Sequence, residues 1–176
     1  FMSTNNVQPT LPDIDEDFRL RVNQVYEAWH RDEIPFAVAA KQLEEMRQEA
    51  VTGENPLNEA GIYNILGIIN GYRSKYENSI INFDKAREIR LPLRMFRYQF
   101  SPFLAYFHSG RNDDLLTLAK YALDVTQKSE EAWLWYGYGL YRQGDNAGAL
   151  KAWQRADGVN PNFFEDQARK AIQLVQ

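Results

Sequence analysis

The sequence predicts an all-α fold, an α-solenoid of stacked antiparallel helix pairs closed by a C-terminal capping helix. Three observations lead there. Every apolar stripe follows the 3.6-residue period of a helix and no segment alternates as a strand would. Short polar turns recur at Arg73-Ser74, Ser109-Gly110-Arg111 and Gln143-Gly144-Asp145. Gly110 and Gly144 are 34 residues apart and Ser74 lies 36 before Gly110, the period of helix-pair repeats.

The elements follow in chain order. Residues 1–12, FMSTNNVQPTLP, are polar, hold two prolines and show no periodicity, so they read as a flexible lead-in. Phe1 ahead of Met2 reads as a cloning remnant, which leaves open either a longer parent protein or a targeting segment lost ahead of these residues. From Asp13 one folded repeat domain runs to residue 176. Phe18, Val22, Val25 and Trp29 mark a first helix, and Phe36, Ala40, Leu43, Met46 and Ala50 a second; together they form a pair over 13–53. Three further pairs follow at about 60–93, 96–129 and 130–163. Phe164, Ala168, Ala171, Ile172 and Val175 form a cap over 163–175, which shields the apolar end of a stack. Pro102 is expected to kink the middle first helix, because it cannot donate to the carbonyl of Tyr98 and its ring crowds it.

The last pair shows the strongest pattern. Trp133, Tyr136, Gly137 and Leu140 stand on its first helix, Ala149, Trp153 and Ala156 on its second, and Pro161 follows. Small residues at 137 and 149 suit two helices that cross closely, with Trp133 and Trp153 filling the space beside them, and Gly139 expected on a freer side. Tyr63, Leu66, Gly67, Phe83 and Ala86 repeat the pattern, with Ser79 where Ala is usual. The copy around Tyr106, Gly110, Leu115, Ala119 and Ala122 is degenerate. These motifs resemble the tetratricopeptide repeat (TPR) from about Ala60 to Asn162, and the resemblance implies a TPR-like superhelix.

Composition limits the function. With a net charge of −4 and a pI near 5.3, the chain lacks the basic field that nucleic acid requires. Without cysteine it has neither disulfides nor thiolate chemistry. No apolar run approaches the ~20 residues of a membrane span and no signal peptide is evident, so a cytoplasmic location without membrane insertion is expected. His30 and His108 lack metal-ligand spacing, Gly137-x-Gly139 follows no strand, and the adjacent carboxylates Glu44-Glu45, Asp113-Asp114 and Glu130-Glu131 point about 100° apart on a helix. The expectation is therefore a protein with no enzymatic activity, cofactor or metal.

What remains is a surplus of rings. The helix beginning at Glu130 is apolar nearly all round, which normally means burial on both sides. Beyond its core side it carries Leu134, Tyr138, Tyr141 and Arg142. Phe100, Leu104, Phe107 and His108 correspond in the middle copy, and Asn64, Ile68 and Tyr72 in the earlier one. In TPR proteins the first helices line a concave groove that takes partner peptides or helices, and the resemblance implies the same here. The carboxylate clamp of the family's chaperone-tail subgroup is not reproduced, since Ile68 follows Asn64 by one turn and Glu131 and Leu134 stand in the last copy. The expected function is a protein–protein interaction scaffold with an aromatic groove for an apolar or amphipathic segment. The alternative is that the face is filled by the chain itself or by self-association as a homodimer, as in a regulatory domain of a larger protein. Lys85, Arg87, Arg90, Arg94 and Arg97 form a secondary basic cluster, read either as a solvated helix end or as a contact for an acidic peptide.

Overall fold

The computed structural model describes residues 13–91, 101–162 and 166–176. Its helices are α1 (Glu16–His30), α2 (Phe36–Thr52), α3 (Pro56–Tyr72), α4 (Tyr76–Glu88), α5 (Ser101–His108), α6 (Asn112–Val125), α7 (Glu130–Arg142), α8 (Asn146–Val159) and α9 (Gln167–Ile172). Among the described residues there is no strand. The expected lead-in over residues 1–12 lies outside them, as do Tyr98 at the expected kink and Phe164 of the expected cap. Pro102 itself is buried in the first turn of described α5.

One turn design closes each hairpin. Asp32, Ser74, Gly110 and Gly144 take left-handed backbone angles, with φ of 58°, 57°, 71° and 83°. In each case the next amide donates to the carbonyl five residues back: Glu33 to Ala28, Lys75 to Asn70, Arg111 to Tyr106 and Asp145 to Leu140, at 2.8–3.0 Å. This double-turn cap satisfies the last helical carbonyls and sends the chain back along its own helix. Arg90 (φ 74°) ends α4 in the same way, with Leu91 donating to Ala86. Helix starts are also provided for: Ser129 Oγ accepts from Ala132 N, Asp145 Oδ1 from Gly148 N, and Asn55 Oδ1 from Leu57 N ahead of which stands Pro56.

Within the pairs, small residues set the crossing. A Cβ at Gly67 would lie 2.6 Å from Phe83, and one at Gly137 would meet the ring of Trp153. Twelve residues after each glycine comes the other small residue, Ser79 or Ala149. Both are fully buried. Ser79 is tolerated there because its hydroxyl donates to the Gly67 carbonyl at 2.6 Å.

Each helix packs on its chain neighbour, α4 on α5 included. The first helices α1, α3 and α5 also touch in succession. One core cluster runs from Phe18 and Val22 through Leu43, Ile62, Ile69, Phe83, Phe103, Tyr106 and Leu115 to Ala132. A second joins Leu134, Ala149, Trp153, Ala156, Ala168 and Ala171 across α7, α8 and α9.

Two core expectations need correction. Trp133 is only half-buried; the fully buried indole is that of Trp153. Gly139 is not on a freer side, because a Cβ there would approach Leu116 Cδ2 of α6 to 2.6 Å. The reason is that α7 is packed by α6 as well as by α8, so two of its sides need close approach.

Candidate functional site

The structure divides the residues expected to line a groove into two sets. Asn64, Ile68 and Leu134 are buried, at 7%, 0% and 1% exposure, and so offer no surface to a partner. Asn64 and Ile68 are enclosed because α1, α2, α4 and α5 all pack on α3. Leu134 is enclosed in the cluster that includes Ala168 and Ala171 of α9, so the chain's own C-terminal helix fills that part of the expected groove. Residues nearer the C-terminal helix ends remain accessible. Tyr72, His108, Tyr141 and Arg142 are exposed, whereas Leu104, Phe107 and Tyr138 are half-buried. Phe100 lies outside the described residues.

Two groups of rings result. In the first, His30 stacks on Tyr26 at 5.5 Å and meets Tyr72 at 5.7 Å, with Trp29 6.4 Å from Tyr72. Burial, reinforced by the neighbouring Tyr72 hydroxyl, pushes the Tyr26 phenol up to about 12. The α1 members were missed by the sequence reading, although Tyr26, Trp29 and His30 fall at i, i+3 and i+4. In the second group Phe107 is the hub. It lies 5.4 Å from each of His108, Trp135 and Tyr138, and His108 in turn stacks on Tyr76 at 4.3 Å. Tyr138 and Tyr141 continue to Trp153, at 5.3 and 5.8 Å.

Arg142 joins α7 to α5. Its guanidinium lies 3.6 Å above the Phe107 ring, and Nη1 donates to the Phe107 carbonyl. That carbonyl is among the last of α5, so a cation there also meets the negative helix end. Partial desolvation, aided by the charge of Arg142, lowers the His108 pKa and favours its neutral, stackable ring.

At the other end of this stripe sits Glu131, 3% exposed. One carboxylate oxygen accepts from Trp135 Nε1 at 3.2 Å and the other has no hydrogen-bond partner. Burial pushes its pKa up to about 8, against the indole hydrogen bond and with a small contribution from Glu130.

Of the described members of the basic cluster, Arg87 is tied up by neighbouring side chains. Arg87 donates to Asp114 Oδ1 at 2.7 Å and to the Tyr106 hydroxyl at 3.0 Å. Arg111 ties Asp114 to Asp84, at 2.7 and 2.6 Å, completing a network between α4 and α6. Lys85 is exposed with Nζ 5.1 Å from the Tyr63 ring, and the backbone of Arg90 caps α4 while its side chain stays exposed. Arg94 and Arg97 lie outside the described residues.

Among the described residues no group of three or more His, Cys, Asp or Glu is placed to hold a metal ion, and no helix is long and apolar enough to cross a membrane. The chemistry this arrangement offers is ring contact, phenol and imidazole hydrogen bonding, and one ring-seated guanidinium. Neither a known protein-family model nor any curated protein matches the chain.

Proposed function

We propose that the chain is a non-catalytic protein-interaction module of the TPR-like α-solenoid type, holding a peptide or helical segment of a partner against its two ring groups. One observation carries this reading: Tyr72 and Tyr141 are 58% and 38% exposed at the ends of α3 and α7, Tyr72 against Trp29 and His30 and Tyr141 against Trp153. Tyrosine suits such a task, because it combines a rigid apolar surface with a hydrogen-bonding tip and loses little entropy when fixed, and Arg142 is already held on the Phe107 ring. The rings beneath them, Phe107, Trp135 and Trp29, are held in place by their neighbours, so the surface is formed before a partner arrives.

Tyr72→Glu combined with Tyr141→Glu tests the reading. Both side chains are exposed, so melting should be nearly unchanged while capture of partners from the source lysate is lost. Retention of the same partners by the folded double variant would refute it. Light scattering on the unmodified chain tests the homodimer alternative, since a stable dimer dispersed by the same two substitutions would assign this face to self-association.

A further inference from the structure

The side of α7 opposite Glu131, Tyr138 and Arg142 carries Trp133, Tyr136 and Leu140, at i, i+3 and i+7. With α8 they line a cleft of about 570 Å3. All three side chains are half-buried, with part of their surface open to it. The Trp133 and Tyr136 rings meet edge to face at 6.2 Å, and Trp133 Nε1 donates to the Gln127 carbonyl, which fixes the indole.

The α8 wall presents Lys151 and Arg155, one helical turn apart and both exposed. Neither forms an ion pair, a hydrogen bond or a ring contact. For an arginine this freedom is unusual in this acidic chain: of the other described arginines only Arg90 shares it, while Arg19, Arg21, Arg31, Arg47, Arg87, Arg111 and Arg169 all meet carboxylates. The carboxylate of the cleft, Asp145, is already accepting from Gly148 N as the cap of α8. An apolar floor and a cationic edge therefore lie side by side, and among the described residues no carboxylate pairs with Lys151 or Arg155.

We propose that this cleft is a second binding site, distinct from the ring groups, and that it takes an acidic amphipathic helix of a partner protein. Positions seven apart on α7 span about 10 Å, two turns of a helix, so the partner's apolar anchors would stand at i and i+4 or i+7. Lys151 and Arg155 are separated by about 6 Å along α8, which matches carboxylates spaced i, i+4 on the incoming helix. Complementary charge of this kind sets orientation and speeds encounter, while the anchors hold the complex.

The test is selection from a displayed library of random twelve-residue peptides on the intact chain, followed by calorimetry on the purified winners. The proposal expects winners with at least two acidic residues and apolar residues one turn apart. Their affinity should fall at least tenfold on Lys151→Glu/Arg155→Glu and fall with added salt, while the variant keeps its helicity and melting temperature. Binding should also shift the indole emission of the unmodified chain but not that of Trp133→Phe. Tyr72→Glu/Tyr141→Glu should bind the winners normally, which separates this site from the ring-lined face. Winners that bind the charge-reversed chain equally well, or whose binding is lost in the tyrosine variant, would overturn the proposal. So would a selection that enriches nothing over the charge-reversed chain, or inorganic phosphate displacing the winners at millimolar concentration, which would make this an anion site.

Discussion

Gly137 is the floor on which the Trp153 indole rests. A Cβ at residue 137 would stand 2.5 Å from Trp153 Cδ1, and the indole cannot withdraw easily because Nε1 donates to the Leu134 carbonyl at 3.1 Å. Gly137→Ala should therefore destabilise by about 1–3 kcal/mol, as overpacking does. Gly139→Ala meets Leu116 Cδ2 and Cγ at 2.6 and 2.8 Å, so it also overpacks, but against an aliphatic side chain that is not held by a hydrogen bond, and up to about 1 kcal/mol of helix propensity offsets the clash. Thermal melts should place Gly139→Ala clearly above Gly137→Ala; the reverse order would mean that α8 crosses α7 elsewhere.

Trp153→Ala should cost about 3–5 kcal/mol, because the ring is fully buried and its removal leaves a cavity among Leu134, Ala149 and Ala156. Trp133→Ala should cost distinctly less, its ring being half-buried on the cleft. Chemical denaturation of both variants checks the difference.

The hairpin turns allow a substitution that stabilises. Ser74 holds φ near 57°, where a side chain strains the backbone by about 1 kcal/mol and glycine does not. Ser74→Gly should raise the melting temperature, whereas Gly144→Ala, at φ 83°, should lower it. Opposite shifts of similar size are expected.

Glu131 predicts a pH dependence. Its folded pKa of about 8 lies above the ordinary value of 4.5, so the native state binds the proton more tightly than the unfolded chain does. The stability this contributes is complete below about pH 4.5 and is lost as pH rises to about 8. Glu131→Gln keeps an acceptor for Trp135 and removes the titration. The variant should gain stability relative to the parent from pH 5 to pH 8. Asp114 behaves oppositely: burial raises it, but hydrogen bonds from Arg87 and Arg111 hold it below the usual range, so its effect is confined to acid pH. Parallel stability curves for the parent and Glu131→Gln would contradict the assignment.

A double-mutant cycle on Arg87→Ala and Asp114→Ala should show a coupling of about 1 kcal/mol. The pair is about one-third and one-quarter exposed, which limits its strength, but it is held within the network of Arg111, Asp84 and Tyr106. Coupling near zero would leave Arg87 available as the free cation of a basic surface.

How much of this was legible in advance follows the range of the forces involved. Helix type and hairpin position are local matters. The 3.6-residue stripe appears in any one segment, and the left-handed turn residue at 74, 110 and 144 is chosen within its own turn, so the sequence by itself determined where the chain is helical and where it reverses. The pairing of Gly67 with Phe83 and of Gly137 with Trp153 was also readable, because each lies within one hairpin and only a missing side chain lets the helices close. Which side of a helix faces water was not. Leu134 and Tyr138 are four residues apart on one side of α7 and both largely apolar, yet α9 and α8 enclose the first while the second stays half-open; Arg87 looks like a surface cation until α6 brings Asp114 to it. Only the tertiary structure decided these, because burial and ion pairing at a given residue depend on which distant segment arrives beside it, and no local pattern carries that information.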